Sequence, residues 1–144
     1  MYEKPTDELL KLLQNTHNPK DLDSYRTQHT AADGQLSFAS RFNQILDKKH
    51  RSKADIIKGS LLDRTYAYQI LNGTKTPGRN KILALSISAG CSFPEIQQLL
   101  ECAKEGILYS RSSRDAVIIY GIQQHLSLME INELLCEKQE AVIE

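Results

Sequence analysis

Residues 62–77, with the sequence LDRTYAYQILNGTKTP, have the pattern of a short amphipathic helix and of the turn that ends it. Asp63 is a preferred helix N-cap, Gly73 stands where many helices end in a left-handed residue, and Pro77 prevents continuation. The apolar residues at helical spacing are Tyr66, Ala67, Ile70 and Leu71. The opposite face carries Arg64, Thr65, Tyr68, Gln69 and Asn72. The major groove of DNA admits such a helix, and any amphipathic surface helix shows the same pattern.

Further helices are predicted on both sides of this stretch. Ser52 caps the preceding helix, in which Asp55 completes a capping box. Only Leu61 and Leu62 separate that helix from the Asp63 cap, which is the spacing of a helix-turn-helix. An earlier helix is predicted behind a Ser37 cap from the apolar set Phe38, Phe42, Ile45 and Leu46. Two later helices are predicted from Ile82, Leu85 and Ala89, ending at Gly90, and from the Ser92 cap with Glu95.

The order of these five predicted helices resembles the Cro and phage-repressor family of helix-turn-helix domains. Members commonly carry Ser-Arg-Ser-x-apolar-Ser-x-Ile-x-x-Gly-x-x-x-Pro through the recognition helix. The matching positions here are Asp63, Arg64, Thr65, Ala67, Tyr68, Ile70, Gly73 and Pro77. The resemblance covers residues 36–100, and the spacing of Ile70, Gly73 and Pro77 is its most specific part. It implies a regulator of transcription that reads double-stranded DNA through the major groove.

The resemblance also implies which side chains contact DNA. The side chains expected to contact base edges are Arg64, Thr65, Tyr68 and Gln69. Arginine suits guanine and glutamine suits adenine. The side chains expected to hold backbone phosphates are Lys49, Arg51, Lys53, Lys75 and Arg79. Because domains of this kind normally read two half-sites, the resemblance also implies a homodimer.

Basic residues are concentrated in the same part of the chain. The formal net charge of the 144 residues is zero, but residues 41–81 hold ten Lys and Arg against three Asp, a net charge of +7. The densest basic run, KKHRSK at residues 48–53, directly precedes the second predicted helix. Such clusters supply the sequence-independent part of DNA affinity, and a solvated charged loop has the same composition.

A second function to consider is a protein-interaction module that keeps the fold without reading DNA. The family usually has a small residue in its second helix and glycine in its turn, where this chain has Ile57 and Leu61. Two tyrosines on the reading helix and the acidic regions that flank the basic segment support the same alternative. Selection of preferred sites from random DNA distinguishes the two functions.

The C-terminal part contains an internal repeat. Residues 79–100 and 114–135 align without gaps at an offset of 35 positions. The identical pairs include Arg79/Arg114, Ser92/Ser127, Glu95/Glu130, Ile96/Ile131, Leu99/Leu134 and Leu100/Leu135. Each copy has the pattern of a helix, a tight turn, a serine cap with glutamate three positions on, and a second helix. The loop RSSR, residues 111–114, is predicted to be a cap with solvated charges.

The predicted fold is all-α, with an N-terminal helical segment and linker over residues 1–35, a five-helix domain over 36–103 and a C-terminal helical hairpin over 104–144. In the N-terminal segment, Thr6 is the predicted cap of one helix and Pro19 the start of another, and residues 29–35 read as the linker. The apolar run AVIIY, residues 116–120, is wider than one helix face. We therefore expect the hairpin to pack on the domain and on a second subunit or another protein.

No motif predicts an enzyme, a metal site or a cofactor. The four histidines are scattered, and neither a phosphate-binding loop nor a nucleophile motif occurs. The cysteines Cys91, Cys102 and Cys136 lack CxxC spacing, which favours reduced thiols. No apolar stretch approaches the roughly 20 residues that span a membrane, and the N-terminus lacks a signal peptide pattern. A cytoplasmic protein without a membrane partner is expected.

Overall fold

The computed structural model describes Gln14, Pro19, Lys20 and residues 37–144. The chain divides into two units, residues 1–35 and 36–144. Within residues 37–144 there are seven helices and no strand: α1 (Phe38–Lys49), α2 (Lys53–Ser60), α3 (Arg64–Leu71), α4 (Arg79–Ser88), α5 (Phe93–Cys102), α6 (Ser113–Gln123) and α7 (Leu128–Glu137). The all-α prediction is confirmed for this part of the chain. None of the helices described is long and apolar enough to cross a membrane.

Most of the N-terminal predictions lie outside the described residues. The helix capped by Thr6 and the linker over residues 29–35 belong to this group. Pro19 and Lys20 are helical, and the predicted start of that helix at Asn18-Pro19 stays a prediction because the residues directly before Pro19 lie outside the described ones.

Side-chain caps set the starts of six of the seven helices described, the exception being α4, which begins after Gly78. The Ser37 and Asp63 side chains accept hydrogen bonds from the backbone N–H groups of Ser40 and Tyr66, as the sequence predicts. At α2 the predicted capping box is wrong, since Ser52 accepts from the Asp55 N–H but Asp55 returns no bond. The aspartate side chain is one methylene shorter than the glutamate that usually completes the box.

The link between α2 and α3 contains a strained residue. Leu61 follows the last residue of α2 and adopts a left-handed conformation with φ +62°. This is the position at which the family resemblance implies a glycine. A left-handed backbone brings Cβ close to the carbonyl oxygen, which costs roughly 1–2 kcal/mol for a residue other than glycine. The chain makes the turn despite that cost.

Apolar side chains from all seven described helices form one core. In α3 the side chains of Ala67, Ile70 and Leu71 are buried, whereas Tyr66 is half-buried. This confirms the predicted inner face of the helix. Helix α2 packs closely on α4, where the Ser88 hydroxyl donates to the Ile56 carbonyl oxygen at 2.6 Å. A side chain at Gly59 would collide with that hydroxyl, so glycine permits the close approach.

The predicted internal repeat is present in the structure. Helices α4 and α5 form one hairpin, and α6 and α7 form a second. Both second helices begin with a complete capping box, made by Ser92 with Glu95 and by Ser127 with Glu130. The residues between the helices of each hairpin include a left-handed one at the same repeat position, Gly90 and His125. The two hairpins therefore share their local geometry as well as their sequence pattern.

The repeat extends beyond the segments that align in sequence. In each hairpin an arginine at the start of the first helix donates to two backbone carbonyls beyond the second helix. The first-copy bonds run from Arg79 to Gly106 at 2.8 Å and to Ile107 at 3.0 Å. The second-copy bonds run from Arg114 to Ala141 at 2.8 Å and to Val142 at 3.2 Å. All four carbonyl positions keep the offset of 35 residues, and the prediction that Arg114 is merely solvated is wrong.

A side-chain amide completes the same clamp in each copy. Gln97 exchanges two hydrogen bonds with the backbone of Leu108, at 3.0 and 2.8 Å. Asn132 does the same with Ile143, at 3.0 and 2.7 Å. Leu108 and Ile143 are both buried, so the extended segment after each hairpin is anchored by backbone bonds and by one apolar side chain.

The two hairpins pack on one another reciprocally. Helix α4 contacts α7, and α5 contacts α6. At the helix starts, Arg79 donates to Asp115 of the second copy, and Arg114 donates to Asn80 of the first at 3.0 Å. Asn80 and Asp115 occupy equivalent repeat positions, as do Arg79 and Arg114, so each copy contacts the other through the same two positions. Reciprocal contacts of this kind characterise an approximate two-fold relation.

Candidate nucleic-acid interface

Helix α3 presents a polar face to solvent. Arg64 and Thr65 are exposed, and Tyr68 and Gln69 are half-buried. All four residues predicted to contact base edges therefore have surface to offer on one short helix. The Arg64 guanidinium lies 5.8 Å from the centre of the Tyr68 ring, a cation–π distance. The tyrosine ring thus lies close to the charged end of the arginine side chain.

Both ends of α3 are fixed by hydrogen bonds. Asp63 caps the N-terminus through the Tyr66 N–H at 3.0 Å. At the C-terminus, the Nδ2 of Asn43 in α1 donates to the Leu71 carbonyl oxygen at 3.0 Å. That carbonyl is one of the last in the helix and has no partner within it. These contacts hold the outward face of α3 in one orientation relative to α1.

The turn after α3 is closed by backbone and side-chain bonds. Gly73 has a positive φ of 85°, as the sequence predicts. The N–H groups of Thr74 and Lys75 both donate to the Gln69 carbonyl oxygen, at 2.9 and 3.1 Å. Lys75 is exposed directly after this turn, and Pro77 is buried two residues later. These bonds fix the backbone of Lys75 next to the C-terminal end of α3, and its side chain is exposed there.

A shallow depression lies between α2 and α3 on this surface. Its lining residues are Ala54, Ile57, Lys58, Leu62, Arg64 and Tyr68. Ala54 and Lys58 are four positions apart on α2, and Arg64 and Tyr68 are four positions apart on α3, so two helix rows face one another. Lys58 is an exposed cation beside Arg64 that the sequence analysis did not assign to the site. Its position could have been predicted from the sequence, since residues four positions apart on a helix, here Ala54 and Lys58, lie on the same side.

The basic residues before α2 differ in their surroundings. Arg51 and Lys53 are exposed. Lys49 lies 3.1 Å from Glu95, and both side chains are 29% exposed. Burial alone would raise the pKa of Glu95, but the Ser92 N–H and the Lys49 ammonium hold it below its ordinary value. Lys49 therefore has an internal partner that competes with a phosphate, whereas Arg51 and Lys53 face solvent.

Arg79 has a different role from the phosphate contact that the sequence predicts. Its Nη1 and Nη2 atoms donate to Oδ1 and Oδ2 of Asp115 at 3.1 and 2.8 Å. The same guanidinium also donates to the carbonyls of Gly106 and Ile107. With these four bonds made, the side chain joins the two hairpins. The repeat in the sequence indicated this role. An arginine is present at the same position in both copies, but only the first copy follows the α2–α3 pair, so a role shared by both arginines is unrelated to that pair.

The second hairpin reaches the turn between α2 and α3. Val142, Ile143 and Glu144 line a groove together with Leu61, Leu62 and Tyr66. Leu61 is 57% exposed there. The start of α3 is therefore bordered by the end of the second hairpin as well as by α2.

Comparison with family models, with characterised proteins and with solved structures finds no significant match to the chain. Within residues 37–144 and the three others described, no three His, Cys, Asp or Glu side chains converge as metal ligands would. What the α2–α3 surface binds is therefore inferred from its own residues.

Proposed function

We propose that this chain is a transcription regulator that binds duplex DNA by placing α3 in the major groove, with α2 and the preceding basic loop on the phosphate backbone. The observation that carries the proposal is the outward row of Arg64, Thr65, Tyr68 and Gln69 on a helix fixed at both ends. A reading helix must hold its donors in a constant position relative to the groove, because hydrogen bonds to base edges tolerate little displacement.

Charge supports the same arrangement. Exposed cations lie on each side of α3: Arg51, Lys53 and Lys58 before it and Lys75 after it. Cations that flank a reading helix suit contacts to the phosphates that border a groove. In this proposal Lys49 makes a weaker contribution because Glu95 competes for it, and Arg79 makes none because Asp115 and two carbonyls occupy it.

The experiment that tests this function is selection of duplexes from a random library by the full-length chain at low salt. We expect one preferred site, with adenine at the position that Gln69 reads. Gln69→Ala should flatten that preference and weaken binding to the preferred site by about 1–3 kcal/mol. The matched control is Gln98→Ala, which removes an exposed glutamine from α5.

The control variant should select the same site as the wild-type chain. Two results would overturn the proposal: the wild-type chain enriches no sequence, or Gln69→Ala retains the full preference.

A second candidate function is a protein-binding module on the same surface. The observation that favours it is the groove in which Leu61, 57% exposed, lies beside Val142 and Ile143. An exposed leucine in a strained backbone conformation suits an apolar contact better than a contact with phosphate. Selection that yields no preferred duplex, together with binding of a protein that Leu61→Ser abolishes, would favour this function over DNA reading.

A further inference from the structure

Helix α6 leaves uncovered the face that its repeat counterpart α4 uses for packing. In α4, which packs on α2, Ser88 bonds to the α2 backbone, and Leu85, one turn earlier, is fully buried. The offset of 35 residues places Tyr120 at the position of Leu85 and Gln123 at that of Ser88. Tyr120 is 53% exposed. In the described residues no helix covers the second copy as α2 covers the first.

The uncovered face of α6 carries no charge. The exposed residues of this helix are Ser113, Ala116, Tyr120 and Gln123. Charged residues make up 25% of the chain. Of the other helices described, α4 has no exposed residue, and each of the rest has at least one exposed charged side chain, such as Lys48 in α1 or Glu133 in α7. Loss of charge around a tyrosine is the composition found at the centre of protein interfaces.

We propose that this face binds the same face of a second copy of the chain, with the two α6 helices antiparallel across a two-fold axis. In such a contact, residue i of one chain meets residue j of the other, and the converse also holds. If the two-fold axis passes at the height of Ile118, whose own side chain is buried on the other side of the helix, Tyr120 of each chain lies on Ala116 of the other. The same pairing puts Gln123 opposite Ser113.

The pairing is self-complementary in size and in polarity. A large ring meets the smallest side chain on the face, which is how facing helices interdigitate. An amide meets a hydroxyl, and each can satisfy the other at the rim of the contact. A charged partner would find no opposite charge on this face. These features select a second copy as its occupant.

The contact is small, because α6 has 11 residues. An interface of this length falls in the range of weak, reversible association. Two chains linked in this way would nevertheless bind paired DNA half-sites more tightly than isolated chains, since the second binding event becomes intramolecular. Self-association itself does not depend on DNA binding and is measured without DNA.

The test is sedimentation velocity of the full-length chain from low micromolar to millimolar concentration. The wild-type chain should shift from the monomer mass towards the dimer mass. Tyr120→Glu should remain monomeric at concentrations where the wild-type chain is mostly dimer, because two buried carboxylates are then unpaired. Met129→Glu, which changes an equally exposed apolar residue on α7, should associate as the wild-type chain does.

A mixing experiment tests the register. Ala116→Lys should be monomeric alone, because at both copies of the contact a long side chain then fills the space that the Tyr120 ring of the other chain occupies. An equal mixture of Ala116→Lys and Tyr120→Glu should recover association, because one antiparallel pair then joins opposite charges. Far-ultraviolet circular dichroism checks that each variant is folded. The proposal is overturned by a wild-type chain that stays monomeric at millimolar concentration, by Tyr120→Glu that associates normally, or by a mixture that stays monomeric.

Discussion

Arg79 and Asp115 form a two-pronged ion pair that joins the equivalent helices of the two repeats, with N–O distances of 3.1 and 2.8 Å. Asp115 is only 7% exposed in its side chain. Its Oδ2 also accepts from the Tyr109 N–H at 3.0 Å. The pair therefore links the first helix of each hairpin to the segment that connects the hairpins.

Replacing Asp115 by Asn should lower the free energy of unfolding by roughly 3 kcal/mol at neutral pH, because the Arg79 charge loses its partner in a nearly buried site. Urea unfolding measures this change. Glu133→Gln, which removes an exposed carboxylate from α7, is the control and should change stability by less than about 0.5 kcal/mol. Equal effects of the two variants would contradict the structural role given to the pair.

The Arg79–Asp115 pair should make the free energy of unfolding depend on pH. Burial alone would raise the pKa of Asp115, but the hydrogen bonds from Arg79 and Tyr109 hold it below its ordinary value of 3.8. The stabilisation is fully present above that value and is lost as the pH falls through the lowered pKa of the folded state. Urea midpoints measured from pH 6 to pH 2 should therefore converge for wild-type chain and Asp115→Asn. A constant difference across this range would argue against the ion pair.

Replacing Leu61 by Gly should stabilise the chain by about 1 kcal/mol, since glycine adopts the left-handed conformation at little cost. Thermal unfolding measures the change. Gly73→Ala is the opposite test, because it forces a side chain onto a residue with φ +85°, and it should destabilise. A lower melting temperature for Leu61→Gly would mean that the exposed leucine makes a contact that outweighs the strain.

Replacement by alanine at two neighbouring positions of α3 should have very different effects on stability. Ile70 is fully buried, so Ile70→Ala should destabilise by roughly 2–5 kcal/mol. Gln69→Ala should change stability by less than about 0.5 kcal/mol, although we expect it to alter DNA preference. Chemical denaturation of both variants gives the comparison. The reverse order of stabilities would show that the helix faces the other way.

The sequence predicted features that depend on neighbouring residues. The caps at Ser37, Asp63 and Ser92 and the positive φ of Gly73 follow from residues within one helical turn of each other. The repeat was visible because two segments with the same pattern fold in the same way. The Asp55 capping box was wrong because side-chain length, not charge, decides that bond.

Features that depend on distant residues could not be predicted in the same way. Arg79 was expected to hold a phosphate, and its partner Asp115 is 36 positions away. A basic residue near a reading helix has the same sequence signature whether it faces solvent or an internal carboxylate. Lys49 and Glu95 are a second such pair, with a still larger separation in sequence. The location of each cation, and not the count of charges, determines which of them remain available to an external anion.

Salt dependence of DNA binding tests the central proposal most directly. Fluorescence anisotropy of a labelled duplex, measured with the full-length chain from about 50 to 200 mM salt, gives the binding constant K at each salt concentration. The plot of log K against the logarithm of the salt concentration should have a slope of about −0.9 for each phosphate that the protein neutralises. Lys53→Gln should reduce that slope by about 0.9, whereas Arg111→Gln, an exposed arginine before α6, should leave it unchanged. No binding at the lowest salt, or a slope that Lys53→Gln and Arg111→Gln change equally, would contradict duplex recognition by the α2–α3 surface.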